Sequence, residues 1–571
     1  MLTTTAVILL GLIIYIATYY TYGKYIKNRI VKLSDKEVPS KRLYDGIDFV
    51  PANKYVLFGH HFASIAGAAP IVGPVIALAW GWLPALLWVW FGNILIGAVH
   101  DYLSLISSIR NEGHSIQWIA GKVIKERAGK IFAWFVLFVL ILLIAAFSAI
   151  IGKLHVAQPS VPTVYLLTIL IALFLSYLLY KRKMNIAMAT TICLSLLILS
   201  IIVGYFLPTK LSYTTWMIIL FFYIIIVSSL PVNLLLQPRD YLNAWLLIIC
   251  LIFAGVIMLF SFKFLNFPYA TTFSAKVVNN LNSPFWPVIP LIVACGSLSG
   301  FHALVASGTT SKQISDEQDA QFIGYGAMLV EGFLSTVVIA IVAAFSTLNI
   351  DINDKLAFAS GYISTVDTSG GPISVFATAF GNAANYLFGL PVNIIVIIAS
   401  LWVASFAMTT LDTGNRLARY ALVEICEPLK ENNTDFYNFI TNRWVASTLP
   451  AILGITLAWS GTWSMLWPSF GGANQMLASI ALITTAAWVI RVQKEKAYFV
   501  LIPALLLWVT VTAALIWYLC GPVVAFFNHA PFQSALLGAI TITMLILNII
   551  LIYDFYRPDK DLLKNLEKEN V

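Results

Sequence analysis

The chain has 571 residues, of which 60% are hydrophobic and only 11% are charged, and its mean hydropathy is +0.86. Soluble domains are nearer half apolar and a quarter charged, so this composition argues against a cytosolic enzyme, a disordered scaffold or a nucleic-acid-binding domain. The net charge of +8 does not point to nucleic acid, because membrane proteins concentrate Lys and Arg in their cytoplasmic loops. We therefore expect an all-α, polytopic membrane protein.

Apolar runs in chain order predict about fifteen transmembrane helices, each of the length that a bilayer requires. They are 2–20, 58–80, 82–107, 131–151, 161–180, 185–207, 213–235, 240–262, 287–306, 321–349, 392–415, 443–460, 463–490, 498–520 and 532–553. The segment 372–390 is also apolar, but it contains Asn382 and Asn385. We predict that it is re-entrant or interfacial rather than spanning.

The distribution of positive charge predicts the orientation. With the N-terminus outside, 29 of the Lys and Arg residues fall in inside segments and 5 in outside segments. The first apolar run has no basic residues before it and no small-residue cleavage site after it, so a signal peptide is not expected. We predict a plasma (inner) membrane protein with its N-terminus outside and its C-terminus in the cytoplasm.

Ionisable residues inside predicted spans are costly and usually mark a pathway or a proton relay. The coupling candidates lie mostly in the predicted cytoplasmic half: His60, His61, His100, Asp101, His302 and Asp412. Asp240 and Glu331 also lie within predicted spans. Imidazole titrates near neutral pH, which suits proton coupling. Asp412 has a structural alternative, an i,i+4 ion pair with Arg416.

The same residue types could instead bind a metal ion, because imidazole and carboxylate groups are common ligands. The candidate ligands are His60, His61, His100, Asp101 and His302. No cofactor is certain, and a bound divalent metal ion is an open alternative.

Two predicted spans contain helix-breaking residues. Gly67, Pro70, Gly73 and Pro74 lie in the middle of the second span, and 228–240 contains Pro231 and Pro238 near the seventh. Interrupted helices of opposite direction, five spans apart, predict an inverted five-helix repeat like that of secondary transporters. The predicted substrate-binding residues are Ser64, Gly67, Ala68, Gly73, Ser229, Gln237, Ser307 and Thr309.

This scheme divides the chain into three parts. Residues 1–57 form an N-terminal helix and a basic loop. Residues 58–415 form the transporter core, with repeats at about 58–207 and 213–415. Residues 416–571 add further helices and a short cytoplasmic tail.

Several stretches together resemble the carbon starvation protein A family of peptide and pyruvate transporters. They are Phe58–Gly67, Gly97–Asp101, Leu236–Asn243, Gly300–His302, Ser307–Thr310, Leu411–Thr413 with Arg416, and Phe470–Gln475. The resemblance implies a proton-coupled uptake carrier of the inner membrane for small peptides or pyruvate. It also implies a fold related to the amino acid–polyamine–organocation transporters.

Three classes of function stay open on the residues alone: a secondary carrier, which we favour, a membrane metalloenzyme and a nutrient sensor without flux. No Walker-type phosphate loop is present, which argues against an ATP-driven pump, and no HExxH motif is present, so we expect no enzyme. The expected partners are a small-molecule substrate, protons and the lipid bilayer, with no nucleic acid. The choice among peptide, pyruvate and amino acid, the choice between proton and sodium, and the oligomeric state are open.

Overall fold

The computed structural model describes residues 2–34, 36–459, 463–527 and 531–557. This part of the chain is almost entirely helical. One hairpin of two antiparallel strands interrupts the helices, formed by β1 (Ser274–Lys276) and β2 (Asn282–Pro284).

The α-helices follow one another along the whole described chain. They are α1 Thr4–Thr18, α2 Pro39–Arg42, α3 Lys54–Ala66, α4 Ala69–Ala77, α5 Trp82–Gly92, α6 Ala98–Ile109, α7 Ile116–Val123, α8 Glu126–Ala157, α9 Ser160–Ser176, α10 Ile186–Phe206, α11 Tyr213–Ser229, α12 Leu236–Ser261, α13 Phe285–Ile292, α14 Gly300–Gly308, α15 Gly326–Phe345, α16 Lys355–Thr368, α17 Gly371–Phe388, α18 Val392–Cys426, α19 Leu429–Asn432, α20 Thr434–Ile440, α21 Arg443–Ala458, α22 Trp463–Arg491, α23 Tyr498–Tyr518, α24 Val524–Phe527 and α25 Pro531–Tyr556.

Short segments of other helical types extend or connect these helices. The π-helical segments are Tyr19–Gly23, Ile26–Val31, Asn93–Gly97, Tyr177–Lys181, Gln321–Tyr325 and Leu519–Val523. The 3-10 segments are Leu78–Trp80, Val278–Asn280, Thr310–Lys312 and Glu317–Asp319.

Twelve helices in the described ranges are long and apolar enough to cross a membrane, and α11 and α21 are shorter apolar helices. These fourteen coincide with predicted spans. The exception is the predicted span 287–306, which is two short helices, α13 and α14, separated by residues 293–299. The count of fifteen continuous spans is therefore not confirmed. The segment 372–390 forms α17, which is not among the spanning helices.

Loops that were predicted to share a side contact one another. At one end of the bundle, ion pairs join Lys32 to Glu495 at 2.5 Å and Arg110 to Glu317 at 2.7 Å. At the opposite end, the Thr4 amide donates to the Lys263 carbonyl at 2.8 Å. These contacts agree with the predicted sides of the loops that they join.

The centre of the bundle is formed by the most buried spans. The most apolar 18-residue window of Lys54–Trp80 is 100% buried, and that of α8 is 94% buried, whereas that of α10 is 28% buried. The long helices α8 and α18 pack against each other in this centre. Because α10 exposes apolar side chains on most of its surface, it suits contact with lipid.

The first helix interruption lies where the sequence predicted it, but it is narrower than 67–74. Helix α3 ends at Ala66 and α4 begins at Ala69. Gly67 joins them with φ 51° and ψ −157°, a conformation open essentially to glycine alone. Pro70 lies in the first turn of α4, where proline is tolerated because that turn lacks amide partners.

The second predicted interruption is present as a loop between two helices and does not divide a span. Helix α11 simply ends at Ser229, and α12 begins at Leu236 and runs through Pro238. The interruption falls instead at 293–299, between α13 and α14. The cluster of Gly and Ser residues at 296–300 was the sequence signal for it, because these residues disfavour helix interiors. The repeat beginning at residue 213 is not confirmed.

Candidate functional site

The two interrupted helices touch each other at Gly73. A Cβ atom there would lie 2.8 Å from the Ile292 carbonyl oxygen and 3.1 Å from Val293 Cα. Only glycine permits this approach, because real Cβ atoms do not come so close to backbone. The crossing brings α4 against the end of α13 and the start of the second interruption.

Polar side chains donate to backbone carbonyls that lack a helical donor at the first interruption and at Pro74. Pro74 has no amide hydrogen, so the Pro70 carbonyl lacks its helical donor. The Ser335 hydroxyl donates to that carbonyl at 2.9 Å. The Thr410 hydroxyl donates to the Ser64 carbonyl at 3.0 Å. Helices α15 and α18 thus stabilise the interruption from two sides.

The second interruption is stabilised in the same way. Asn93 Nδ2 donates to the Gly296 carbonyl at 3.1 Å, and Gln475 Nε2 donates to the Leu298 carbonyl at 3.2 Å. The Phe301 amide at the start of α14 donates to Asn474 Oδ1 at 2.9 Å. Non-helical backbone at membrane depth needs such partners, because no bulk water is present to supply them.

A buried network of charges, here called the arginine cluster, consists of His60, Tyr223, Arg239, Asp240 and Asp412. Arg239 Nε and Nη2 donate to Asp240 Oδ1 at 2.9 and 2.6 Å. Arg239 Nη1 donates to Asp412 Oδ2 and, at 2.7 Å, to the Tyr223 hydroxyl. His60 Nδ1 donates to Asp240 Oδ2 at 2.7 Å. Arg239 and both aspartates are inaccessible to solvent.

The proposed pair between Asp412 and Arg416 does not form. Asp412 binds Arg239 from α12, whereas Arg416 Nη1 donates to Asp48 Oδ1 at 2.9 Å. Burial alone would raise the pKa of Asp48, but the cations of Arg416 and Arg419 outweigh burial and lower that pKa to about 2. The i,i+4 spacing was outweighed because Arg239 and Asp48 offer each partner a closer opposite charge.

A second buried group, here called the histidine cluster, consists of His100, Asp101, Cys295, His302 and Glu331. Asp101 accepts from His100 Nδ1 at 2.8 Å and from His302 Nδ1 at 3.0 Å. His302 Nε2 lies 3.6 Å from Glu331 Oε2. All five side chains are buried.

His60 and His61 point to different partners, as adjacent helical residues should. His61 Nδ1 lies 2.8 Å from Thr310 Oγ1, and His60 contacts Asp240. Of the five predicted metal ligands, His100, Asp101 and His302 therefore contact one another, whereas His60 and His61 have other partners. Among the described residues, one group has three ligand-type atoms within 4.8 Å of one another, and it consists of Cys295, His302 and Glu331. It shares only His302 with the predicted set.

The predicted substrate-binding residues are distributed over several places. Ser64, Gly67, Ala68 and Gly73 lie at or near the first interruption. The other four are bonded elsewhere: Ser229 to Ser447, Gln237 to Gln313, and Ser307 and Thr309 to carbonyls of their own segment.

Residues of both clusters were missing from the predicted site. Arg239, Asp240 and Glu331 carried a usable signal, an ionisable group within an apolar run. Cys295 carried none, because a lone cysteine in an apolar run is usually a small buried hydrophobe.

Two cavities open at opposite ends of the bundle. One, of about 430 Å³, is lined by residues that include Val72, Lys153, Asp367 and Ser400. The other, of about 590 Å³, is lined by loop residues that include Arg110. The first reaches α4 just beyond the first interruption.

Long apolar helices around two interrupted and crossing helices define this chain as a multi-pass membrane protein. The family model for Carbon starvation protein CstA matches residues 3–362 and 354–514. The chain therefore belongs to the carbon starvation protein CstA family, which confirms the resemblance seen in its motifs.

Similar proteins are named as transporters. The peptide transporter CstA of Bacillus subtilis is 32% identical over 96% of this chain and 95% of its own length. The Escherichia coli peptide transporter CstA is 32% identical, covering 89% of this chain and 80% of that protein. The Escherichia coli pyruvate/proton symporter BtsT is 30% identical, covering 88% and 80%.

Solved structures give a more distant likeness. The Eremococcus coleocola manganese transporter is 11% identical and covers 90% of this chain and 99% of that chain. The TM-score of this likeness is 0.46.

Proposed function

We propose that this chain is a secondary carrier of the inner membrane that takes up small peptides or pyruvate-like carboxylates together with protons. Relatives that cover most of the chain are named as peptide transporters and as a pyruvate/proton symporter. The single observation on this chain that carries the proton part is the charge balance of the arginine cluster.

That cluster holds one fixed cation against two carboxylates. With His60 neutral and both aspartates ionised, its charge is −1 in a site that is inaccessible to solvent. A buried net charge is costly, so one added proton, on His60 or on Asp412, makes the cluster neutral. Asp412 Oδ1 has no hydrogen-bond partner in the described part of the chain and can take that proton. The cluster is thus suited to bind and release one proton per cycle.

The substrate path passes the first interruption in this proposal. The N-terminal end of α4 carries a partial positive charge from its backbone dipoles, which favours a carboxylate. The cavity near Lys153 and Asp367 serves as the outer entrance, and its Lys153 cation attracts anions. Four predicted residues, Ser64, Gly67, Ala68 and Gly73, lie along this route.

The proposed carrier also contains an inverted repeat. Its second half differs from the one predicted from the sequence. The interrupted pairs α3–α4 and α13–α14 begin at opposite ends of the bundle. The long helices α8 and α18 are the corresponding third helices. The second repeat then begins near residue 285, and α11 and α12 are insertions between the halves.

The proposal is tested with purified protein in proteoliposomes. An inward proton gradient should drive accumulation of pyruvate or of a dipeptide, and a counterflow panel that includes an amino acid should identify the preferred substrate. Collapsing the gradient should reduce accumulation to the equilibrium level. Uptake that is unchanged without the gradient would contradict proton coupling. Uptake that depends on a sodium gradient would show that sodium is the coupling ion instead.

The Asp412→Asn variant tests the role of the arginine cluster in proton coupling. We expect it to exchange substrate across the membrane but to lose accumulation, because the cluster is then neutral without an added proton. Asp554→Asn is the matched control, since Asp554 pairs with Arg127 outside the cluster. Normal gradient-driven accumulation by Asp412→Asn would show that Asp412 is structural.

A further inference from the structure

The group Cys295, His302 and Glu331 has properties that proton transport by the arginine cluster does not explain. Cys295 lies in the second interruption, His302 in the first turn of α14, and Glu331 on α15. One ligand atom from each lies within 4.8 Å of the other two. The three residues come from separate parts of the chain and meet only in the folded structure.

Glu331 lacks the partners that a buried carboxylate needs. Its side chain is fully inaccessible, and neither carboxylate oxygen has a hydrogen-bond partner among the described residues. Burying an ionised carboxylate without compensation costs several kcal/mol or more, so Glu331 needs either a proton of its own or a cation beside it. No Lys or Arg makes an ion pair with Glu331 in the described ranges.

The orientation of His302 points to what that cation is. With Asp101 Oδ2 accepting from Nδ1 at 3.0 Å, the neutral ring carries its proton on Nδ1 and presents the lone pair of Nε2. That lone pair lies 3.6 Å from Glu331 Oε2, so two electron-rich atoms face each other. A histidine that donates one ring N–H to a carboxylate while its other nitrogen faces a second acidic group is the usual arrangement around a metal ion.

We propose that Cys295, His302 and Glu331 bind a divalent transition-metal ion of the Zn²⁺ class. Sulfur, nitrogen and oxygen donors together suit such an ion, whereas Mg²⁺ and Ca²⁺ prefer oxygen alone. The Cys295 thiolate and the Glu331 carboxylate balance the two positive charges. Metal–ligand bonds of about 2.0–2.3 Å require the three atoms to approach by about 1 Å from their widest present spacing.

The ion would join the second interruption to α15. Three protein ligands leave one position of a tetrahedral ion open, for water or another oxygen ligand. The site shares no residue with the arginine cluster. It therefore goes beyond the proposed function and does not depend on it.

The test measures metal directly on the full-length chain. Protein purified from zinc-supplemented cells is analysed for metal content, and chelated protein is then titrated with Co²⁺ alone. We expect about one ion per chain and an absorption band of thiolate-to-Co²⁺ charge transfer, which requires a Cys–metal bond. Protein without bound metal and without this band would overturn the proposal and leave a protonated Glu331.

Variants assign the ligands. Cys295→Ser should abolish the charge-transfer band, and Glu331→Gln should lower metal content at least tenfold. Cys250→Ser, a buried cysteine on α12, is the matched control and should keep both signals. Gel filtration and helical circular dichroism check that each variant is folded. An undiminished band in Cys295→Ser would overturn the proposed site. If the variants fail to fold, the spectrum of the wild-type protein decides the test. Because no readout uses transport, failure of this proposal is distinct from failure of the proposed carrier.

Discussion

At the scale of single residues, the chemistry of this chain lies in ionisable groups that are fully buried and that pair across distant helices. Arg239 contacts carboxylates from its own helix and from α18, and Asp101 joins histidines from α6 and α14. Buried ions are tolerated only when they are paired, so removing one partner is far more damaging than removing the whole group. The chemical role of each buried charged side chain therefore depends mainly on the residues with which it pairs.

Asp48 gives a prediction that can be tested by pH. Its pKa of about 2 in the folded protein lies below the ordinary value of 3.8, because the cations of Arg416 and Arg419 outweigh burial. The ionised form therefore contributes about 2 kcal/mol of stability at neutral pH. That contribution is complete above pH 3.8 and decreases as the pH falls toward 2. We expect Asp48→Asn to lower the Tm in detergent at pH 7.

The same experiment at acid pH is the control for Asp48. Near pH 2 about half of the wild-type carboxyl is itself protonated and most of its contribution to stability is lost, so the Tm difference between the two proteins should shrink. Asp351→Asn should change the Tm little at either pH, because Asp351 is exposed and its carboxylate accepts from the nearby Asn353 and Asp354 amides. A Tm difference of the same size at both pH values would contradict the ion-pair explanation.

At the scale of elements, the two helix interruptions are precise and separately supported. Each is narrow, and each has its freed carbonyls bonded by side chains of neighbouring helices. Such interruptions are therefore part of the stable structure. They are places where backbone groups, instead of side chains, can face a ligand.

Gly67→Ala should abolish transport. A residue with a Cβ is strained at φ 51°, which costs about 1–3 kcal/mol, and that Cβ would lie 2.9 Å from Thr410 Oγ1. Uptake in proteoliposomes should be lost, while a folded protein is still recovered by gel filtration. Gly255→Ala is the control, since its Cβ would meet nothing closer than 3.8 Å. Near-normal uptake by Gly67→Ala would exclude the first interruption from the substrate path.

Ser335→Ala tests the support of the Pro70 carbonyl. Losing the donated hydrogen bond leaves a buried carbonyl without a partner, which costs about 1–3 kcal/mol. We expect a lower Tm than in Ser200→Ala, whose hydroxyl only bonds the Leu197 carbonyl of its own helix. Equal Tm values for the two variants would show that the Ser335 bond is not needed.

At the scale of the whole molecule, the loops form two sets at opposite ends of the bundle. One set contains the paired residues Lys32, Arg110 and Arg416 and holds most of the positive charge. The positive-inside rule predicts that this set of loops lies on the cytoplasmic side. This assignment places the cavity near Lys153 on the outside.

Cysteine labelling in intact cells tests this orientation. In a Cys520→Ser background, which removes the exposed native cysteine among the described residues, Asn353→Cys should react with a membrane-impermeant maleimide. Lys430→Cys should react only after the cells are permeabilised. Both positions are exposed. The reverse pattern would invert the orientation.

The sequence by itself determined the membrane class, fourteen of the fifteen apolar helices and the first interruption. These properties depend on composition, run length and local backbone chemistry, all of which are carried by neighbouring residues. The family also followed from short motifs, because their residues are contiguous.

Only the tertiary structure decided which groups meet. Asp412 pairs with Arg239, 173 positions away, instead of with Arg416, four positions away. His302 meets Asp101, Cys295 and Glu331 from three other segments. A prediction based on prolines could not locate the second interruption, because that interruption is stabilised by side-chain amides of helices such as α22. Side-chain pairing across helices depends on their rotation and crossing, and neither is encoded in the local hydrophobic pattern from which the spans were predicted.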